Sequence, residues 1–302
     1  MEEKKLNVDI AKSISRFRSV MKSFELRKKV YKRIIKRRGL EFESYRNYSQ
    51  DDDSGLIDWK ASKRANELLI KKYIEEENLK IFFLIDVGEN MISGSSERLK
   101  CEYALNVIAA LTDLILSSGN KVGYIVFNGG IKEFIIPKKG GKHFENLMSV
   151  MTNASLYGGS SHIEKAIDFT LKYLNNSVSS LVIVSDFVNF EKKEFEKKLG
   201  IISSKFETMA IIIRDPLDKT LPDISGEVII EDPSTGDKML INPSIARKSY
   251  EKYAKEEEES LRKIFHKTGT DSIELMTDKD FVFSLATFIK QRVKVPKGGI
   301  EI

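Results

Sequence analysis

Cysteine and histidine are scarce in this chain of 302 residues, which contains one cysteine, Cys101, and three histidines. A lone thiol forms no disulfide within the chain, and such cysteine usage is typical of a reducing compartment. The histidines, at positions 143, 162 and 266, do not combine with Cys101 in the spacing of a zinc site. The sequence therefore excludes a disulfide framework and a zinc site of the usual kind.

Long apolar runs are also missing. Clean runs such as Ile81–Ile85 are far shorter than the ~20 residues that a helix needs to span a bilayer. The N-terminus, Met-Glu-Glu-Lys-Lys, lacks the apolar core of a signal peptide. Hydrophobic residues make up 41% of the chain and charged residues 31%, which supports a packed core. These features predict a cytoplasmic globular protein.

Two catalytic motifs are absent as well. The chain contains no Gly-x-x-x-x-Gly-Lys-Ser/Thr phosphate loop, so it is not itself a P-loop ATPase. Ser185 stands beside Asp186, but without the Gly-x-Ser-x-Gly elbow of the α/β-hydrolases. We therefore predict a protein that is not an enzyme, and keep a hydrolase that acts through Ser161 or Ser185 as an alternative.

Positive charge is concentrated at the N-terminus. Residues 1–40 contain fourteen Lys/Arg and four Asp/Glu, a net charge of +10, so the remainder carries −5 of the total of +5. Apolar residues recur there at helical spacing, at Ile10, Ile14, Phe17, Met21 and Phe24. The predicted basic surface consists of Lys12, Arg16, Lys22, Arg27, Lys28, Lys29, Arg33 and Arg37. We predict that the apolar stripe packs on the main domain or on a partner helix. The alternative is that residues 4–38 bind nucleic acid or an anionic membrane.

From residue 80, buried strands alternate with amphipathic helices. This order predicts an α/β fold with a doubly wound, mostly parallel sheet and one antiparallel edge strand, Ile131–Ile136. The other predicted strands of the sheet are Lys80–Asp86, Lys121–Phe127, Ser180–Asp186, Thr208–Arg214 and Asp271–Met276. The predicted helices are Arg98–Ser117, Lys142–Met151, Ser161–Leu174, Lys192–Ser203, Ile245–Lys267 and Asp280–Arg292, and Glu227–Glu231 with Lys238–Ile241 is predicted to form a β-hairpin.

Polar residues follow the predicted strands. In doubly wound sheets, ligands bind beyond the carboxyl ends of the strands, where the strand order reverses. Asp86, Gly88 and Asn90 follow the first strand, Asp186 ends the third, and Ser160-Ser161 starts a helix between them. Oxygen ligands of this kind predict a cation site, for which magnesium is the natural ion.

These residues resemble a known site. Von Willebrand factor A domains have a metal-ion-dependent adhesion site that normally consists of Asp-x-Ser-x-Ser, a Thr and an Asp. The corresponding positions here resemble that site and are Asp86-x-Gly88-x-Asn90, the Ser160-Ser161 loop and Asp186. The segment from Tyr45 to Glu77, with Ile57-Asp58-Trp59, resembles the domain of unknown function 58 family. Four later segments also resemble that family: Arg214-Asp215-Pro216, Leu221-Pro222, Glu231-Asp232-Pro233 with Thr235-Gly236, and Thr277-Asp278.

The resemblance covers roughly residues 39–292 and implies a von Willebrand A-like fold. Members are often encoded beside MoxR-type AAA+ ATPases and are suspected of acting with them in the assembly or activation of other proteins. No enzymatic activity is established for the family. The resemblance therefore implies an adaptor whose strand-end residues, Asp86, Gly88, Asn90, Ser160, Ser161 and Asp186, contact an acidic side chain of a partner.

The predicted metal ligands depart from the family pattern. Gly88 and Asn90 replace two serines, and glycine supplies no side-chain oxygen. Ser161 best matches the threonine, with Ser160 as the alternative. The predicted ligands are thus Asp86, Asn90, Ser161 and Asp186, a set expected to bind Mg²⁺ weakly or not at all.

Structural roles are also expected for several of these residues. Ser161 stands three residues before Glu164, the spacing of a capping box. Asp51–Asp53 is interpreted as a structural turn, and Asp58 with Trp59 is expected to pack the connector on the main domain. The predicted divisions are a basic helical segment (1–38), a connector with the family signature (39–79), the main domain (80–292, with a hairpin insertion at 215–243) and a tail (293–302). The connector is predicted to be irregular at first and then to approach the sheet as a helix or strand.

Overall fold

Six strands form the central sheet of the computed structural model, which describes residues 6–23, 40–49, 52, 54–75, 79–175, 177–188, 190–231 and 236–294. Their order is β10-β7-β6-β3-β4-β5, and only β5 is antiparallel. Their bounds are β3 Lys80–Asp86, β4 Lys121–Phe127, β5 Ile131–Lys138, β6 Ser180–Ser185, β7 Glu207–Arg214 and β10 Asp271–Met276. The predicted doubly wound sheet with an antiparallel edge strand is confirmed.

Helices cover both faces of the sheet, because the central residues of its parallel strands are mostly apolar and need burial on both sides. One face packs against α1 Ile10–Ser23, α3 Lys100–Ser117, α4 Gly141–Met151 and α8 Phe281–Lys294. The other packs against α5 Ile163–Tyr173, α6 Lys192–Lys205 and α7 Pro243–Thr268. The strand order reverses at β3, so its carboxyl end lies at the switch point where ligands are expected.

The N-terminal helix α1 is part of the main domain. Phe17 and Met21 are 1% and 4% exposed and belong to the core beneath α3 and α8. Arg18 forms a bidentate ion pair with Asp113 of α3, and Arg16 pairs with Asp280. The apolar stripe therefore packs on the main domain, the first of the two interpretations of this helix.

The segment before the sheet has its own secondary structure, so the prediction of an irregular start is wrong, whereas the predicted helix or strand approach to the sheet is observed. β1 Leu40–Asn47 pairs antiparallel with β2 Leu69–Glu75, and helix α2 Trp59–Ala65 lies between them in sequence. Asp58 caps α2 by accepting the N–H groups of Lys60 and Ala61. Trp59 is 67% exposed, so the expectation that it packs on the main domain is also wrong.

The remaining predicted elements match closely. β8 Val228–Glu231 and β9 Lys238–Ile241 form the predicted hairpin. Pro243 starts α7 at the position where its missing N–H costs nothing, and Gly269, with φ 66°, ends it in the left-handed conformation that glycine adopts freely. The strand predicted to end at Asp186 ends one residue earlier, which leaves Asp186 in the loop beyond it.

Candidate functional site

Asp86 is the centre of a buried hydrogen-bond network at the end of β3. Its Oδ2 accepts the hydroxyls of Ser161, at 2.9 Å, and of Ser185, at 2.7 Å. Its Oδ1 accepts the N–H of Gly88 at 2.9 Å. Burial, reinforced by the nearby negative charge of Asp186, raises the pKa of Asp86 to about 6. The predicted convergence of Asp86 and Ser161 is thus observed, and Ser185 joins them.

Asp186, the second predicted aspartate, is paired with a buried lysine. The Lys100 Nζ lies 2.9 Å from Asp186 Oδ2 and 3.3 Å from Asp218 Oδ2, and the Lys100 and Asp186 side chains are each 2% exposed. Burial acts to lower the pKa of Lys100, but the charges of Asp186 and Asp218 outweigh it and raise the pKa. Lys100 therefore remains an ammonium ion in the interior.

Gly88 lies against Ser161. A Cβ atom at position 88 would be 2.7 Å from the Cβ of Ser161 and 3.1 Å from Oδ1 of Asp86. The φ of Gly88 is −63°, so the backbone itself would accept a serine. Packing against Ser161 is therefore what excludes a side chain here.

The other predicted site residues are placed around this network. Asn90 lies in a short 3-10 helix, Glu89–Ile92, and its carbonyl accepts the Ser93 hydroxyl at 2.7 Å. Ser160 is exposed at the loop surface. The Ser161 hydroxyl does not cap α5, as its spacing with Glu164 had suggested, because it is donated to Asp86. The N-cap is His162, and the Glu164 carboxylate accepts the N–H of Glu191 instead.

These residues do not fit a magnesium ion. Mg²⁺ requires near-octahedral oxygen ligands, yet Asp86 already accepts three hydrogen bonds and Asp186 pairs with Lys100. Gly88 offers no oxygen and has no space for one. In the part of the chain that the structure describes, no group of three or more His, Cys, Asp or Glu side chains could hold a metal ion. Among the described residues, the crevice formed by Asp86, Ser161, Ser185 and Asp186 already has a buried cation beside it, the ammonium of Lys100.

The family is established by a sequence profile. The profile of "Protein of unknown function DUF58" matches residues 44–260, which is more than two thirds of the chain. The chain belongs to the DUF58 family. The uncharacterized proteins Rv1480 of Mycobacterium tuberculosis and Mb1516 of Mycobacterium bovis are each 24% identical over 258 residues, covering 84% of this chain and 80% of each relative.

Solved structures with a similar fold include BatB from Bacteroides thetaiotaomicron, with a TM-score of 0.42 and 14% identity over 72% of this chain and all of that one. The SpRpn10 VWA domain matches with a TM-score of 0.37 and 15% identity over 46% of this chain and 76% of that one. The fold assignment rests on the strand order described above.

Residues in two of the segments that match the family, outside the crevice, make structural contacts. Arg46 forms a bidentate ion pair with Asp52, both distances being 2.6 Å, which supports a structural interpretation of the acidic turn at Asp52. Asp215 accepts the Ser95 N–H and the Thr277 hydroxyl, each at 2.9 Å. Burial acts to raise the pKa of Asp215, but hydrogen bonds from the Ser95 hydroxyl and N–H, the Leu217 N–H and the Thr277 hydroxyl outweigh it and hold the pKa below its ordinary value. Asp215 thus ties three loops together at the carboxyl edge.

The predicted basic surface of this DUF58 protein is described only in part. Lys12, Arg16 and Lys22 are exposed on α1, although Arg16 is paired with Asp280. Arg27, Lys28, Lys29, Arg33 and Arg37 lie outside the described residues. Binding of nucleic acid or anionic membrane through this surface therefore stays a prediction. Within the described ranges, no helix combines the length and the apolar character that crossing a bilayer requires.

A serine at position 88, as in the adhesion site of the resembling domains, is expected to damage this crevice. Gly88→Ser should lower the free energy of unfolding by about 1–3 kcal/mol, because its Cβ overlaps the Cβ of Ser161 and Ser161 is held by Asp86. It should also leave Mg²⁺ binding undetectable. Urea unfolding followed by circular dichroism measures the first effect, and isothermal titration with MgCl₂ the second.

Gly130→Ser is the matched control, because a Cβ there meets no atom within 4 Å. It should change stability by less than about 0.5 kcal/mol. Adding Ser161→Gly to Gly88→Ser should restore part of the lost stability by removing the overlapping atom. Equal stability of the two single serine variants, or saturable magnesium binding by Gly88→Ser, would contradict this account.

Proposed function

We propose that this DUF58 protein is a non-enzymatic cytoplasmic adaptor that acts with a MoxR-type AAA+ ATPase in the assembly or activation of other proteins. The contact would form at the carboxyl edge of the sheet. The observation that supports this proposal is the self-contained network of Asp86, Ser161 and Ser185, next to the Lys100–Asp186 pair. Side chains whose hydrogen-bonding groups are paired with one another keep a fixed geometry. Such a network holds the surface above it in place, and a fixed surface is suited to binding.

The same network argues against a hydrolase. A serine nucleophile is activated by a neighbouring base that is oriented by a third group. Ser161 and Ser185 instead donate to the same oxygen of Asp86, and no hydrogen bond joins a histidine side chain to either serine in the described chain. His143 is used elsewhere, since its Nε2 is bonded to the carbonyl of Val122 at 2.7 Å.

The adaptor would act without a metal bridge. In the predicted adhesion site, a metal ion joins the domain to an acidic residue of the partner. Here the ammonium of Lys100 is the positive charge beside the crevice, and it already pairs with Asp186 and Asp218. We therefore expect docking to be independent of magnesium at the adaptor itself.

Capture of the partner from the native cell tests this proposal. We expect the tagged full-length chain to enrich a MoxR-type ATPase over a tag-only control, identified by mass spectrometry. The purified ATPase without nucleotide should then bind this protein with the same affinity in MgCl₂ and in EDTA. Absence of the ATPase from the eluate would overturn the proposal, and binding abolished by EDTA would overturn its metal-independent form.

A variant with a neutralised basic segment distinguishes the adaptor function from binding of nucleic acid or membrane. Deletion of residues 1–38 is a poor test, because it removes Phe17 and Met21 from the core. Neutralising the exposed Lys12 and Lys22 together with Arg27, Lys28, Lys29, Arg33 and Arg37 keeps the apolar stripe intact. Recovery of only nucleic acid or lipid, lost in this variant and at high salt, would assign the function to the basic segment.

A further inference from the structure

A cavity of about 460 Å³ lies beside the crevice, between the loop after β6, the end of β7 and helix α7. Its apolar wall includes Phe187, Phe190, Tyr250 and Leu261. At its border with the crevice lie Asp218 and Arg214. It is thus a concave site in which an aromatic wall faces three acidic and three basic side chains, namely Asp218, Glu257, Glu258, Lys192, Arg214 and Lys219.

Each of the three carboxylates that line this cavity already has a cationic partner. Asp218 pairs with Lys100 at 3.3 Å, and Glu257 pairs with Lys192 at 2.7 Å. Glu258 pairs with Lys219 at 3.3 Å and with Arg262 at 2.9 Å.

Arg214 is different from the other cations of the cavity. It donates one N–H to the main-chain carbonyl of Asp186 at 2.5 Å, and it forms no ion pair within 4.0 Å in the described chain. A guanidinium has five N–H donors arranged in a planar fork that matches a carboxylate. The remaining donors of a half-buried arginine, in a cavity with no unpaired carboxylate, favour an anionic ligand.

The loop that holds Arg214 is fixed by the crevice network. Asp186 accepts Lys100 on Oδ2 and the Val188 N–H, at 3.3 Å, on Oδ1, while its carbonyl accepts Arg214. Phe187 adopts φ 50°, a left-handed conformation that is unfavourable for a bulky side chain. The Ser185 hydroxyl, which accepts the Phe187 N–H at 3.0 Å, helps to hold it. The crevice network therefore positions Arg214 before a ligand binds.

We propose that Arg214 is the anchor for a partner's acidic side chain, and that the aromatic walls of this cavity take an apolar residue next to it. The inference rests on the proposed adaptor function and names its contact. It moves that contact from Asp86 and Ser161, whose negative charge and committed hydroxyl do not suit an incoming carboxylate, to the neighbouring cavity.

The probe is an acetylated hexapeptide that alternates glutamate with leucine, and its glutamine counterpart is the charge control. Both are titrated into the full-length chain by isothermal titration calorimetry. We expect the glutamate peptide to bind more tightly than the glutamine peptide. Arg214→Gln should weaken binding of the glutamate peptide about tenfold or more, because it removes a charge-assisted hydrogen bond. Arg214→Lys should also weaken binding, because it keeps the charge but loses the fork.

Arg247→Gln is the matched control. Arg247 also donates to a main-chain carbonyl, that of Leu221, but it has a carboxylate partner, Asp223, and lies outside the cavity lining. This variant should bind the glutamate peptide as the wild type does. Equal affinity of the wild type for the two peptides, or full affinity in both Arg214 variants, would overturn the inference.

The two proposals fail in distinguishable ways. If Arg214 does not affect peptide binding but the ATPase is still captured, the anchor is wrong and the adaptor function stands. If Arg214-dependent peptide binding is found but no ATPase is captured, the anchor stands and the assigned partner is wrong.

Discussion

Lys100→Met is expected to lower the free energy of unfolding by about 3–5 kcal/mol, because it leaves the carboxylate of Asp186 buried without its cation. Both side chains are 2% exposed, so water does not replace the lost partner. Asp218 also loses its ion pair, but at 23% exposure it remains partly solvated. Urea unfolding followed by circular dichroism at neutral pH measures the effect.

Two further variants identify the cause. Adding Asp186→Asn to Lys100→Met removes the uncompensated charge and should restore a substantial part of the stability. Lys198→Met removes a lysine whose partner, Asp168, is 56% exposed, and should cost no more than about 1 kcal/mol. If Lys100→Met were as mild as Lys198→Met, the buried pair would not be what holds the crevice together.

Phe17→Ala is expected to have a similarly large effect, a loss of about 3–5 kcal/mol, although the residue lies in the basic N-terminal segment. Phe17 is 1% exposed and packs in the core beneath α3 and α8, so truncation leaves a cavity. Thermal and urea unfolding of the full-length chain measure the loss. Local detachment of α1 would also raise hydrogen exchange in residues 10–23.

Lys12→Ala is the control for this prediction, because Lys12 is exposed on the same helix. It should change stability by less than about 0.5 kcal/mol. If both substitutions had equally small effects, α1 would be a detachable arm, and the nucleic-acid or membrane alternative would become more attractive.

The central sheet could be predicted from sequence because its evidence is local. Strands such as Lys80–Asp86 are short apolar runs, and the helices between them have a clear apolar stripe. The placement of Asp86 and Ser161 near each other followed from the same alternation and the rule that ligands bind at strand ends.

Lys100 was not predicted as a site residue, and Arg214 was matched only to a family segment, because their contacts involve residues distant in sequence. Lys100 is separated from Asp186 by 86 residues and from Asp218 by 118 residues. A lysine in the first turn of a predicted helix would ordinarily be interpreted as solvated. Ser161 shows the converse case, since its local capping pattern was overruled by a hydroxyl acceptor 75 residues away.

The β1–β2 pair was missed although a local signal exists. Leu40 and Phe42 alternate with Glu41 and Glu43, the period of a strand with one polar face. The acidic turn between the two strands is a strong loop signal, so the sequence predicts irregular structure at the start of this segment. Trp59 was expected to be buried because a large aromatic side chain usually gains from packing, a tendency that this helix does not follow.

The exposure of Trp59 determines what optical measurements on this protein report. Because Trp59 is the single tryptophan and is 67% exposed on α2, its fluorescence senses the surface of the β1–β2 segment and is nearly blind to the core of the sheet. Emission would change little on unfolding of the main domain, which is why circular dichroism is the appropriate probe for the stability variants. For the same reason, a blue shift on adding a partner would reveal contact at this helix without any added label.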